Sequence, residues 1–188
     1  MSISVFNTYI HPEANKIVKN VLDSTYVSEG KLVKAFEDKL SSEIGIKNPV
    51  AVNSGTSALH LALVMAGVKK NDEVILPSQT FIATGSAILQ QSAIPVFADI
   101  EYENGNISFQ SIKNKLSSKT KAIIVVHWGG YPCDMDEILQ LAANNNIMVI
   151  EDAAHCLGST YKDKVIGEIS DFTCFSFQAI KHLTTGDG

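Results

Sequence analysis

One lysine, Lys181, lies in FSFQAIKHLTTGDG, residues 175–188, between an aromatic stretch and a Thr-Thr-Gly turn. Lysine is rarely buried, because desolvation disfavours its ammonium form. A lysine that follows a buried strand therefore has a lowered pKa and a nucleophilic Nζ, suited to a Schiff base with a carbonyl compound. A solvated lysine on the loop after the strand accounts for the same position. EDAAHCLGS, residues 151–159, ends an apolar run with two carboxylates. An unpaired buried carboxylate is costly, so Asp152 is expected to have a cationic partner; a helix N-cap pair is the alternative for Glu151 and Asp152. His155 follows three residues on, near enough to Asp152 for proton handling, although a lone histidine is also a common structural residue. No second His/Cys/Asp pattern has zinc spacing, and no metal site is expected.

NSGTSAL, residues 53–59, reads as a strand end, a small-residue turn and a helix start. The first-turn amides of a helix lack internal partners and favour an anion. Ser54, Gly55, Thr56 and Ser57 could cradle a phosphate; an ordinary Ser or Thr N-cap is the plain alternative. The stretch is neither a GxxxxGK[ST] loop nor a GxGxxG turn. His127, Trp128, Gly129 and Gly130 form a turn where Gly-Gly permits close backbone approach, to a ligand or simply within the turn. Phe81, just after PSQT, reads as core by position, with a stacking platform as the alternative.

The elements that position these residues follow from periodicity. Residues 12–23 and 31–44 read as amphipathic helices, the second carrying Leu32, Ala35, Phe36, Leu40 and Ile44 on one face. Strands are expected at 49–54, 73–78, 94–100, 122–128, 147–153 and 171–177. Helices are expected at 57–67, 80–91, near 111–116 and at 135–146. The alternation of strand and helix, with strands apolar throughout, specifies an α/β fold: a mainly parallel central sheet flanked by helices. Such sheets bind ligands at the carboxyl ends of their strands. NSGT, PSQT, HWGG, EDAAH and SFQAIK all fall there, so they are expected to converge. Residues 1–48 are expected to form an N-terminal helical segment and 49–188 the ligand-binding domain.

The bulk numbers set limits. The chain has 188 residues, 45% hydrophobic and 19% charged, with net charge −5, which suits one globular domain and gives no basic surface for nucleic acid or anionic membrane. Cys133, Cys156 and Cys174 are an odd count without CxxC spacing, which suits a reducing compartment. No signal-peptide pattern opens the sequence and no apolar run is long enough to span a bilayer, so a cytoplasmic location is expected.

Taken in order, SGTSAL, P-S-x-T-F, H-x-x-G-x-P-x-D-M, EDAAH and FSFxxxK-x-L-T-T-G-D-G resemble the sugar aminotransferases of the DegT/StrS type, across essentially the whole chain. YVSEGKLVKAFEDKL, residues 26–40, is similar to the entry helix of that family. The resemblance implies the large domain of a pyridoxal-phosphate (PLP) enzyme with the aspartate-aminotransferase fold. It implies that Lys181 binds PLP covalently and shuttles a proton, and that Asp152 pairs with the pyridine nitrogen. His155 would contact the phenolic oxygen, a position where many relatives carry Gln. Gly55, Thr56 and Ser176 would hold the phosphate and Phe81 would stack on the ring. The implied substrates are a nucleotide-linked keto sugar and an amino donor, glutamate, and the implied assembly is a homodimer. Family members continue past the TTGDG turn, so this sequence is expected to be their N-terminal half, truncated within the large domain. Three other readings stand beside this one: a catalytically silent fragment or binding module; a PLP-dependent sugar dehydratase, which would carry histidine where Lys181 stands; and a Rossmann-type nucleotide-binding domain, which lacks its glycine fingerprint here.

Overall fold

In the computed structural model, which describes residues 7–188, the strongest feature is a set of three central apolar strands, at 73–77, 120–126 and 148–152, buried on both faces. Strands β1 (Glu73–Pro77), β2 (Ile94–Ala98), β3 (Thr120–Val126), β4 (Met148–Asp152) and β7 (Phe172–Cys174) form one sheet, in the order β2-β1-β3-β4-β7. All four pairings are parallel. Between β4 and β7 lies a two-residue hairpin, β5 (Thr160–Tyr161) with β6 (Lys164–Val165), that periodicity is too short to reveal.

Alternation along each strand divides the core in two, because neighbouring residues point to opposite faces. Val74, Leu76, Ile124 and Ile150 pack against Leu59 and Leu63 of α3 (Gly55–Met65) and Ala87 and Ile88 of α4 (Ile82–Gln90). Ile75, Ile123, Val125 and Val149 pack on the other side, against Ile112 of α5 (Phe109–Lys115) and Met135, Ile138 and Ala142 of α6 (Met135–Asn145). The expected α/β architecture, a parallel sheet flanked by helices, is therefore the one found.

The N-terminal helices are α1 (Ala14–Asp23) and α2 (Lys31–Lys39); the latter runs on through a π-helical turn, Leu40–Ile44. The first six residues of the expected 1–48 segment lie outside the described residues. Phe36 and Leu40 pack with Ile46 and Phe177, the two phenyl rings meeting edge to face at 5.0 Å. That contact ties α2 to the chain just beyond β7. In α1, Ile17, Val18 and Leu22 are exposed.

One expected strand is not formed. Residues 49–54 carry no ladder hydrogen bonds. Pro49 has no N–H to give, the Ala51 N–H goes to the Glu37 carboxylate at 2.9 Å, and the segment pairs with no strand among the described residues. Instead an apolar groove of about 920 Å³ runs between this segment and β7, lined by Val50, Val52, Leu61, Met65, Phe172 and Cys174. The last expected strand, 171–177, shortens to β7 because only residues 172–174 reach β4. Among the described residues no helix is long and apolar enough to cross a membrane.

Leu63 is fully buried and Tyr102 is 97% exposed. Leu63→Ala is expected to lower the unfolding free energy by about 2–5 kcal/mol, from lost transfer energy and a residual cavity. Tyr102→Ala is expected to change it by less than about 0.5 kcal/mol. Urea unfolding followed by circular dichroism compares the two.

Candidate active site

Because every sheet strand runs the same way, the segments after β1, β3, β4 and β7 emerge at one edge, where open α/β sheets take their ligands. The segment 53–57 joins them from the side. A Cβ built on Gly55 would lie 3.1 Å from Ser176 Cβ and 3.2 Å from the Phe175 carbonyl oxygen, so these two stretches touch. Ser54 caps α3, its Oγ accepting from the Ser57 N–H at 3.1 Å and lying 3.0 Å from Ser57 Oγ. Ser54 is thus an ordinary N-cap. Gly55, Thr56 and Ser176 are half-buried beside it, at the free amides of the helix start.

Glu151 and Asp152 end β4 and no helix follows them, so the N-cap alternative is excluded. Being neighbours in a strand, they face opposite layers. Asp152, 6% exposed, faces the α3–α4 layer. Its Oδ2 accepts from Thr84 Oγ1 at 2.7 Å and its Oδ1 from the Ala154 N–H at 3.2 Å. The cationic partner expected for Asp152 is not in direct contact: Lys181 lies close enough to act on it by charge, but no salt bridge joins them among the described residues.

Glu151 is fully buried in the α5–α6 layer. Oε1 accepts from Ser170 Oγ at 2.6 Å and Thr173 Oγ1 at 2.8 Å, and Oε2 lies 2.8 Å from His127 Nε2. His127 Nδ1 accepts from the Cys133 N–H at 3.0 Å. The proton of the ring therefore sits on Nε2 and is donated to Glu151. Burial alone would raise the Glu151 pKa, but the bonds from His127, Ser170 and Thr173 outweigh it and hold the carboxyl below its usual value.

Lys181 sits in a loop with pinned ends. The Thr185 N–H donates to the Phe177 carbonyl and the Phe177 N–H to the Gly188 carbonyl, both at 2.9 Å, and the Lys181 N–H reaches the Gln178 carbonyl at 2.8 Å. Thr8 Oγ1 donates to the Ala179 carbonyl at 2.7 Å, adding an N-terminal tether. Lys181 is half-buried, and desolvation lowers its pKa despite the opposing charge of Asp152. His155 is half-buried as well. Burial lowers its pKa first and the Lys181 charge second, His182 adds to this, and Asp152 opposes it. Its ring meets Trp128 edge to face at 5.8 Å.

The turn at 127–130 exists as expected, with Trp128–Gly130 in a 3-10 turn. Gly130 has φ +87°, and a Cβ there would stand 2.7 Å from the His155 carbonyl oxygen. The glycine is required by that approach, so the turn lies directly against the His155 segment. Buried Asn106 fastens it: Oδ1 accepts from the Trp128 N–H at 2.9 Å and Nδ2 donates to the Tyr131 carbonyl at 3.0 Å. Phe81, placed in the core by its position in the sequence, is instead 68% exposed, as the residue before α4. It precedes a helix that starts at the sheet edge, so its ring projects rather than packs.

The Asp152 charge reaches both His155 and Lys181, the Lys181 charge reaches His155, and Gly55 joins Ser176 through contact. Sequence reading missed Thr84 and Asn106, and it did not connect His127 to Glu151. The partial signal for Thr84 was a threonine in the first turn of a helix that follows the polar PSQT stretch at a strand end. Burial pushes the thiols up, to about 12 for Cys133, about 11 for Cys156 and higher for Cys174. None is a ready nucleophile at neutral pH. Among the described residues no cluster of three or more His, Cys, Asp or Glu side chains is placed to hold a metal ion.

Comparison with known proteins gives a consistent result. The DegT/DnrJ/EryC1/StrS aminotransferase family matches over residues 8–188. GDP-perosamine synthase of Escherichia coli O157:H7 is 41% identical over 187 residues, 99% of this chain and 51% of that protein. The spore coat polysaccharide biosynthesis protein SpsC of Bacillus subtilis is 45% identical over 171 residues, 91% of this chain and 44% of that protein. The solved PLP-form of the putative sugar aminotransferase Spr1654 from Streptococcus pneumoniae superposes with a TM-score of 0.92 at 33% identity, covering 100% of this chain and 52% of that one. The chain spans about half the length of the curated relatives it matches.

The Glu151 network carries an acid signature. A depressed carboxyl pKa contributes stability that is present above the unfolded value, 4.5, and is lost as pH falls through the folded one. Glu151→Gln is expected to be less stable at neutral pH by about 1–3 kcal/mol. It should also show a shallower fall in stability below pH 4.5 than the wild type. Denaturant unfolding at a series of pH values measures both effects.

Proposed function

The chain belongs to the DegT/DnrJ/EryC1/StrS aminotransferase family, and from that premise we propose that it holds pyridoxal 5'-phosphate on Lys181 and serves in the transfer of an amino group to a keto sugar. The observation that carries this reading is Lys181 itself, a half-buried amine on a pinned loop, lowered in pKa by desolvation, with the Asp152 carboxylate in charge range. The surrounding groups fit the cofactor. A Cβ on Gly55 would press against Ser176, beside the free amides that begin α3. A buried carboxylate and an exposed aromatic ring, Asp152 and Phe81, supply the other two interactions that a phosphorylated pyridine needs.

In this reading Gly55, Thr56 and Ser176 hold the phosphate by backbone and hydroxyl donors. Asp152 keeps a proton on the ring nitrogen, His155 faces the phenolic oxygen and Phe81 covers a ring face. Bound there, PLP supplies an electron sink for the carbon that loses its proton. Lys181 Nζ, neutral at lower pH than an ordinary lysine, would bind the cofactor carbonyl with loss of water, be freed when the donor amine displaces it, and then take and return that proton. The amino acceptor is a nucleotide-linked keto sugar, a reading supported by the likeness to GDP-perosamine synthase, and the donor is glutamate. Residues 49–188 are the cofactor-binding domain and 1–48 an N-terminal helical segment, and the working form is a cytoplasmic homodimer. The exposed apolar residues Tyr9, Ile10 and Val50 support association. A second reading is a chain that binds cofactor without turning over.

Titration of the 188-residue chain with PLP, borohydride reduction and peptide mapping test the reading. A reduced adduct on Lys181, absent in Lys181→Ala, is expected. No adduct, or one on another lysine, overturns the assignment. Only neutral Nζ attacks, so the rate of adduct formation should rise with pH and level off below 10.5, the value of an ordinary lysine. Transamination of a keto sugar by the loaded chain separates the first reading from the second.

A further inference from the structure

Asp152 Oδ2 is held by a hydroxyl chain that the proposed chemistry has not yet used. Thr84 is completely buried and its Oγ1 lies 2.7 Å from Asp152 Oδ2. On its other side it lies 2.7 Å from Thr80 Oγ1. A carboxylate only accepts, and a hydroxyl has one proton. Thr84 must therefore spend its proton on Asp152, and Thr80 must donate to Thr84. The direction of the chain is fixed: Thr80 to Thr84 to Asp152. The two carboxylate oxygens become unequal. Oδ2 receives a short charge-assisted bond, strengthened by the donor behind it. Oδ1 has only the 3.2 Å contact with the Ala154 N–H.

Resting on the function proposed above, we propose that Thr84, backed by Thr80, is a positioning residue that locks the Asp152 carboxylate so that Oδ1 is the oxygen offered to the ring N–H of the cofactor. The helix supplies the means. Thr84 lies in the first turn of α4 and Thr80 in the bend before its N-cap Phe81, which brings the two hydroxyls together, and Thr84 faces the layer into which Asp152 points. A strand-end carboxylate has free χ rotations, and without a second anchor both oxygens would compete for the same donor.

The test uses the 188-residue chain with PLP whose ring nitrogen is labelled with ¹⁵N. Thr84→Val keeps the shape and removes the hydroxyl; Thr84→Ser keeps the hydroxyl. Thr84→Val is expected to weaken PLP binding about 10-fold and to move the ¹⁵N shift toward unprotonated pyridine. Thr84→Ser should restore both, and Thr80→Val should give a smaller change in the same direction. A role in packing alone would not move the nitrogen signal. Wild-type affinity and ¹⁵N shift in Thr84→Val would overturn the proposal while leaving the cofactor assignment intact. Should Thr84→Val not fold, Thr80→Val decides, since an unchanged shift there removes the chain of donors. Failure of the wild-type chain to take up PLP would overturn the function proposed above, and this inference with it.

Discussion

Two carboxylates buried side by side at the end of β4 set the terms for the rest of this structure. Each must find hydrogen-bond donors inside the protein, because Glu151 is fully buried and Asp152 nearly so. The period of two along a strand sends them to opposite faces, so the donors cannot be shared. Glu151 draws on His127, Ser170 and Thr173, which come from the end of β3, the approach to β7 and β7 itself. Asp152 draws on α4 through Thr84. Register among β3, β4 and β7, and the seating of α4 on the sheet, are thereby tied to polar contacts as well as to apolar packing.

The two carboxylates differ in what they leave available. Glu151 is held by three side-chain donors and sealed from solvent, which suits a structural role. Asp152 has one strong donor and one long one, and it lies in charge range of the half-buried Lys181. The same strand end thus yields a fastening on one face and a reactive environment on the other. The pinned loop around Lys181 and the Gly130 contact with the His155 carbonyl bring the remaining groups to the same edge.

Much of the fold was legible. The apolar strands at β1, β2, β3 and β4 and the helices between them were placed within a few residues, because buried parallel strands and amphipathic helices leave strong patterns. Residues 49–54 were misread because PVAVNS has strand composition, whereas a strand also needs a neighbour to pair with. Phe81 was misplaced in the core because composition does not say which way a residue at a helix start projects. The β5–β6 hairpin is too short to have a period.

The sequence by itself determined the α/β class, the order of the elements and the family to which the chain belongs, since each rests on local pattern or on an ordered string of motifs. Tertiary structure alone decided which side chains meet. The partners of Glu151, the hydroxyl chain from Thr80 to Asp152 and the grip of Asn106 on the Trp128 turn join residues from 4 to 68 positions apart. Periodicity fixes the face on which a residue lies, but which faces come together depends on how the strands order themselves in the sheet. The order β2-β1-β3-β4-β7 is settled by packing and pairing of the whole chain, and no local segment encodes it.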